Sequence, residues 1–109
     1  MFNRFAVDFV GNTRCKEETI EQALNSLHYV EQSAVIVTPD DAGAKAFVIL
    51  ESGYLPVEDT KKFIMNSLRT LLKPFQMPRK IVFVENLPLL KSGKVDYKLL
   101  EIENYEKSA

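Results

Sequence analysis

The chain has 109 residues, 46% of them hydrophobic and 27% charged, the balance of a folded globular domain rather than of a disordered tail. That length holds one core but not a core plus a separate nucleotide-binding lobe. Lys+Arg 14 stand against Asp+Glu 15 for a formal net charge of −1, and the basic residues are scattered along the sequence, which argues against duplex nucleic acid or an anionic membrane as a partner.

No apolar run approaches the roughly 20 residues that cross a bilayer, and the Met1 end lacks the basic-then-apolar layout of a secretory signal, so the expected location is cytoplasmic. The single cysteine, Cys15, excludes an internal disulfide and a cysteine-based metal cluster.

In chain order, "RFAVDFVG" alternates and is rich in β-branched and aromatic residues, predicting a strand from Phe5 to Val10 that Gly11 stops. "CKEETIEQALNSLHYV" follows, with Ile20, Ala23, Leu24, Leu27 and His28 on one helical face and Glu17 and Glu18 at the positive end of the helix dipole. "QSAVIVTP" and "KAFVILE" flank "DDAGA", where Asp40, Asp41 and Gly43 suit a hairpin turn, so the two runs are expected to pair as adjacent antiparallel strands.

Gly53 and Pro56 break the second strand and lead into a helix from Val57 to Lys73, with Phe63, Ile64, Leu68, Leu71 and Leu72 as its apolar stripe and Pro74 as its stop. "RKIVFVE" predicts a strand from Arg79 to Glu85, and "VDYKLLEIENYEK" a final helix. The order β-α-β-β-α-β-α describes an α+β domain of residues 1–109 with a small, mostly antiparallel sheet against which the amphipathic helices pack.

Chemistry-bearing patterns are sparse. The four glycines never cluster into a phosphate-binding loop, and no HExxH or Cys/His ligand set is present. The one histidine, His28, falls on the apolar helix face and reads as a satisfied, partly buried side chain. The paired carboxylates are explained by turn and helix-dipole chemistry. What remains is "ENLPLLKSGKVDYKLL", which sets Lys94 behind Ser92 and Gly93 at a tip where glycine permits a sharp turn. On the residues alone, Lys94 is either a solvated loop lysine or an ammonium presented to an anionic ligand.

The ordered set "EETIEQAL", "VEQSAVIVTPDD", "AKAFVIL", "LKPFQMPRKIVFVENLP" and "KSGKVDYKLL" resembles successive landmarks of the small C-terminal domain of the adenylate-forming enzymes. These are the acyl-CoA synthetases, peptide-synthetase adenylation domains and luciferases. The resemblance runs from about Phe5 to Leu100. It implies a two-step reaction: a carboxylate attacks the α-phosphate of ATP, releasing pyrophosphate, and a thiol then takes the acyl group from the adenylate and releases AMP. ATP/AMP, coenzyme A or a carrier pantetheine, and Mg2+ belong to the complete enzyme.

The resemblance assigns Lys94 the catalytic role in adenylation, with Ser92 and Gly93 supporting its loop. A positive charge between two anionic reactants orients them and offsets their repulsion. Gly11 matches the glycine lining the pantetheine channel, and Arg14 is placed to meet a phosphate of coenzyme A, although the family's basic residue usually stands one position closer to the glycine. Arg4 falls at the hinge position without the family's aspartate. The hairpin "PDDAGAKAF" is short and lacks the usual Gly-Glu pair, and Leu90 stands where threonine is frequent.

The expected partner is therefore a large N-terminal adenylating domain in cis or in trans, together with a small-molecule carboxylate. The chain alone is expected to lack the ATP-binding lobe and to be inactive. A stand-alone interaction module that docks through the Leu87 to Lys94 loop is the alternative, since fold does not fix function.

Overall fold

The computed structural model describes residues 15–38 and 43–108. The expected strand from Phe5 to Val10, and Arg4, Asp40 and Asp41, lie outside the described residues. Helix α1 covers Cys15–Asn25, strand β1 Val30–Thr38 and strand β2 Gly43–Leu50. Helix α2 covers Glu58–Leu71, a 3-10 turn Pro74–Gln76, strand β3 Lys80–Phe83 and helix α3 Tyr97–Ser108. The α+β class and the element order over these residues are those expected.

The sheet order is β1-β2-β3. β1 and β2 are antiparallel from Val30↔Leu50 to Thr38↔Gly43, with a bulge between Val30 and Gln32. β3 adds to β2 in parallel, from Lys45↔Lys80 to Val48↔Phe83, over about half that length. A parallel neighbour needs a crossover of a dozen or more residues, and the segment containing α2 supplies it. Arg79 and Val84 flank β3 and still donate their amides to Ala44 and Val48 of β2, at 2.8 and 3.0 Å.

Both faces of the sheet are covered, which is why β1 and β2 read as apolar runs rather than as alternating patterns. On one face Val35, Ala46, Val48 and Ile81 meet Ile20 and Leu24 of α1 and Ile64 and Leu68 of α2. On the other, Ala34, Ile36 and Phe47 are covered by Leu87 and by Leu100 of α3. Ile20, Leu24, Ile64 and Leu68 are fully buried, each contributing about 1.5–3 kcal/mol of burial.

Two sequence expectations change. The first helix stops at Asn25 instead of continuing to Val30, because the Ser26 hydroxyl bonds the Ala23 carbonyl and the Asn25 side chain accepts from Ser33 Oγ. His28 therefore lies past the helix and is exposed, edge-on to Tyr29 with ring centres 5.3 Å apart. In α2 the stripe is narrower than expected, since Phe63 and Leu71 are about half exposed while Ile64 and Leu68 are buried. The helix ends as Pro74 requires, with Lys73 before it extended at φ −76, ψ 157.

Candidate functional site

Lys94 leaves the domain on a two-ended hairpin. Leu90 accepts a hydrogen bond from the Gly93 amide at 2.9 Å and donates its own amide to the Lys94 carbonyl at 2.7 Å, and Leu89 bridges Val95 just outside them. That pairing is a tight turn followed by a glycine bulge, and the bulge position requires positive φ. Gly93 has φ +92, and a Cβ added there would meet nothing within 4 Å, so the demand for glycine is conformational rather than steric. Leu90 closes the turn through its backbone, so no threonine side chain is needed for that purpose.

Beyond the turn, Asp96 donates its amide to the Pro88 carbonyl at 2.8 Å, and its carboxylate accepts the Leu99 amide at 3.0 Å as the N-cap of α3. The loop is thus braced at both ends while Lys91, Ser92, Gly93 and Lys94 all stay exposed. The Lys94 side chain forms no ion pair among the described residues. Ser92 sits at the tip. Gly11 and Arg14 lie outside the described residues.

A second cationic surface has no counterpart in the sequence reading. Lys61, Lys62 and Arg69 of α2 face Arg79 and Lys80 at β3 across a groove of about 450 Å³ whose floor includes Met65 and Ile81. Glu58 is the one carboxylate in the lining, and it pairs with Lys61 at 3.5 Å. Asn66 accepts from the Arg69 guanidinium and holds it along the helix. Arg79 lies over Gly43, and a Cβ there would come within 3.1 Å of the arginine stem, so Gly43 serves this close approach at the start of β2. Basic residues scattered in sequence are gathered here by the β2–β3 pairing.

Among the described residues, no group of three or more His, Cys, Asp or Glu could hold a metal ion, and no helix is long and apolar enough to cross a membrane. The chemistry on offer is positive charge, delivered once as a single ammonium on a braced turn and once as a shallow multivalent surface.

The family profile for the AMP-binding enzyme C-terminal domain matches residues 19–94. The chain belongs to that family. Among curated relatives, 4-hydroxybutyrate–CoA ligase 1 of Metallosphaera sedula is 37% identical over 79 residues, covering 70% of this chain and 14% of the ligase. Acetyl-coenzyme A synthetase of Methanothrix thermoacetophila is 35% identical over 89 residues, covering 79% of this chain and 14% of the synthetase. The crystal structure of an acyl-CoA synthetase of Brucella canis superposes with a TM-score of 0.77 at 31% identity, over 85% of this chain and 18% of that one.

This AMP-binding C-terminal domain thus spans a small fraction of its relatives' length. Its fold and family are those the sequence resemblance implied, and the family match ends on Lys94 itself.

Proposed function

We propose that the chain works as the C-terminal domain of an AMP-forming acid–thiol ligase, with Lys94 supplying the positive charge for adenylate formation. The observation that carries this reading is the turn: an exposed lysine without a partner among the described residues, held on a backbone closed by two hydrogen bonds and a positive-φ glycine. A flexible loop would lose entropy on docking the ammonium, whereas a braced one has already lost it. Between a carboxylate and an α-phosphate, such a charge stabilises the anionic transition state as the new bond forms and pyrophosphate leaves.

In the same reading the thiol substrate is coenzyme A, whose phosphates suit the groove of Lys61, Lys62, Arg69, Arg79 and Lys80. A carrier-tethered pantetheine brings fewer phosphates and would leave most of that charge unused. Gly11 keeps the thiol channel open and Arg14 meets a phosphate. A large adenylating domain, in cis or in trans, supplies the ATP and acyl sites, and Mg2+ there would offset the charge on the triphosphate.

The test is to measure the two half-reactions separately in the native polypeptide. Lys94→Ala is expected to cripple adenylate formation from ATP and carboxylate while sparing thioester formation from supplied acyl-adenylate. Equal loss of both steps would sink the assignment. A second reading, a non-catalytic docking module, draws on Leu89 and Leu90, which are about half exposed beside the lysine. A native polypeptide of this length alone, found bound to a partner without ligase activity, would favour it.

A further inference from the structure

Glu21 occupies an unusual place. It belongs to α1, which covers one face of the sheet, yet its Oε2 accepts the amide of Val35 in β1, the outermost strand of the described sheet, at 2.8 Å. The same oxygen accepts the hydroxyl of Tyr97 at 2.8 Å, and Tyr97 opens α3, which packs on the opposite face. One carboxylate oxygen therefore joins both layers around the edge of the described sheet. We infer that Glu21 and Tyr97 are positioning residues for Lys94, fixing through this hydrogen bond the attitude of the helix start from which the lysine turn is suspended. The inference rests on the reading of Lys94 as the adenylation lysine.

The path from one to the other is short and stiff. Tyr97 lies three residues beyond Lys94, a reach of at most about 10 Å. Within it Val95 is bridged to Leu89, and Asp96 is bonded to Pro88 through its amide and to Leu99 through its carboxylate. With so little slack, a rotation of the α3 start carries the turn with it. The apolar contacts that hold α3, chiefly Leu100 against Ala34, Ile36 and Phe47, resist separation but are non-directional. The Tyr97 to Glu21 bond is directional and part-buried, so it sets rotation where packing sets only distance. A misplacement of about 1 Å in a reacting constellation can cost on the order of 100-fold in rate, so orientation of this kind has kinetic weight.

The test uses the native polypeptide and two single-turnover assays, adenylate formation and thioester formation from supplied acyl-adenylate, on wild type, Tyr97→Phe, Glu21→Gln, the double variant and Lys94→Ala. Tyr97→Phe keeps the ring in its apolar cluster and removes only the hydroxyl. Tyr97→Phe is expected to slow adenylate formation about 3–10-fold, the consequence of losing one hydrogen bond, and Glu21→Gln to slow it less, because the Gln amide oxygen still accepts the Tyr97 hydroxyl without the carboxylate's charge. The double variant is expected to be no slower than the worse single one, because the two residues act through a shared bond. Thioester formation is expected to hold within about twofold. In the 109-residue chain, amide exchange at Leu90 and Gly93 is expected to quicken in Tyr97→Phe while the β2 amides stay protected.

Equal slowing of both half-reactions, or faster exchange throughout the sheet, would make the bond a general structural one and overturn the inference. Unchanged adenylation in both single variants, with Lys94→Ala still inactive, would overturn it while leaving the role of Lys94 intact. Full adenylation by Lys94→Ala would instead remove the reading on which it rests.

Discussion

The turn at Lys94 and the groove between α2 and β3 present positive charge in opposite ways. The turn isolates one ammonium and fixes the backbone beneath it with hydrogen bonds at 2.7 and 2.9 Å. The groove gathers five cations from α2 and the start of β3 and spreads them, with Lys61 paired to Glu58 and Arg69 to Asn66, around a lining that includes the apolar Met65 and Ile81. A single, well-placed charge suits a transition state, whose geometry is fixed to within a bond length. A loose multivalent surface suits the capture of a phosphate-rich substrate, where summed potential matters more than any one contact.

The sharpest way to break that contrast is Lys94→Ala. Loss of one electrostatic contact to a developing charge costs on the order of 10²–10³ in rate, and the loss is expected in adenylate formation alone. Next in size is charge reversal in the groove, Arg69→Glu with Arg79→Glu. The KM for coenzyme A is expected to rise about tenfold, and the difference from wild type to shrink as salt rises, because these exposed charges are screened. If the reversed groove changed adenylation more than coenzyme A binding, the division of labour between the two surfaces would be wrong.

The two surfaces also differ in how far the sequence reveals them. The Lys94 turn is local: "LKSGK" contains its own glycine and its own closing hydrogen bonds, so five residues state the turn itself, though not the bracing on either side of it. The groove is not local. Lys61, Lys62 and Arg69 meet Arg79 and Lys80 only because β3 joins β2 in parallel beside α2, and a count of scattered basic residues contains no trace of that pairing. Glu21 is hidden for the same reason, with partners 14 and 76 residues away. Its nearest signal is negative, a third glutamate after Glu17 and Glu18 that helix-dipole chemistry does not explain.

Elsewhere the misreadings are of ends rather than of elements. Periodicity alone carries the first helix to Val30, but Ser26 offers the Ala23 carbonyl a hydroxyl, and Tyr29 and Val30 find burial beyond the helix instead. Gly43 suits a hairpin turn for its freedom of φ. It starts β2, and what matters there is the missing Cβ under Arg79. Local chemistry names the residues at such points, while tertiary neighbours decide their use.

Gly93→Ala sharpens the comparison at smaller scale. A side chain at φ +92 strains the turn by about 1 kcal/mol, which denaturant unfolding of the chain should register. Gly53, at φ +95 with equally open surroundings, provides the control. Gly53→Ala is expected to cost comparable stability without slowing adenylation, whereas Gly93→Ala is expected to do both. Equal kinetic effects would mean that stability, not the attitude of the turn, limits the rate.

The smallest effect expected is at Asp96, and it separates charge from geometry. Asp96 caps α3 by accepting the Leu99 amide, a role asparagine fills about as well as aspartate, while alanine leaves that amide without its side-chain partner. Asp96→Ala should therefore destabilise the chain by about 0.5–1 kcal/mol, at the lower end of measured caps because Leu100 also anchors the helix. Asp96→Asn should be close to neutral if geometry is what the turn requires. A carboxylate two residues from Lys94 also lowers the local positive potential, so if summed charge governed the turn instead, Asp96→Asn would alter adenylation as much as Asp96→Ala does. Wild-type adenylation in Asp96→Asn beside a slowed Asp96→Ala would show that the turn is governed by how its backbone is held, as at Gly93, and not by summed charge as in the groove.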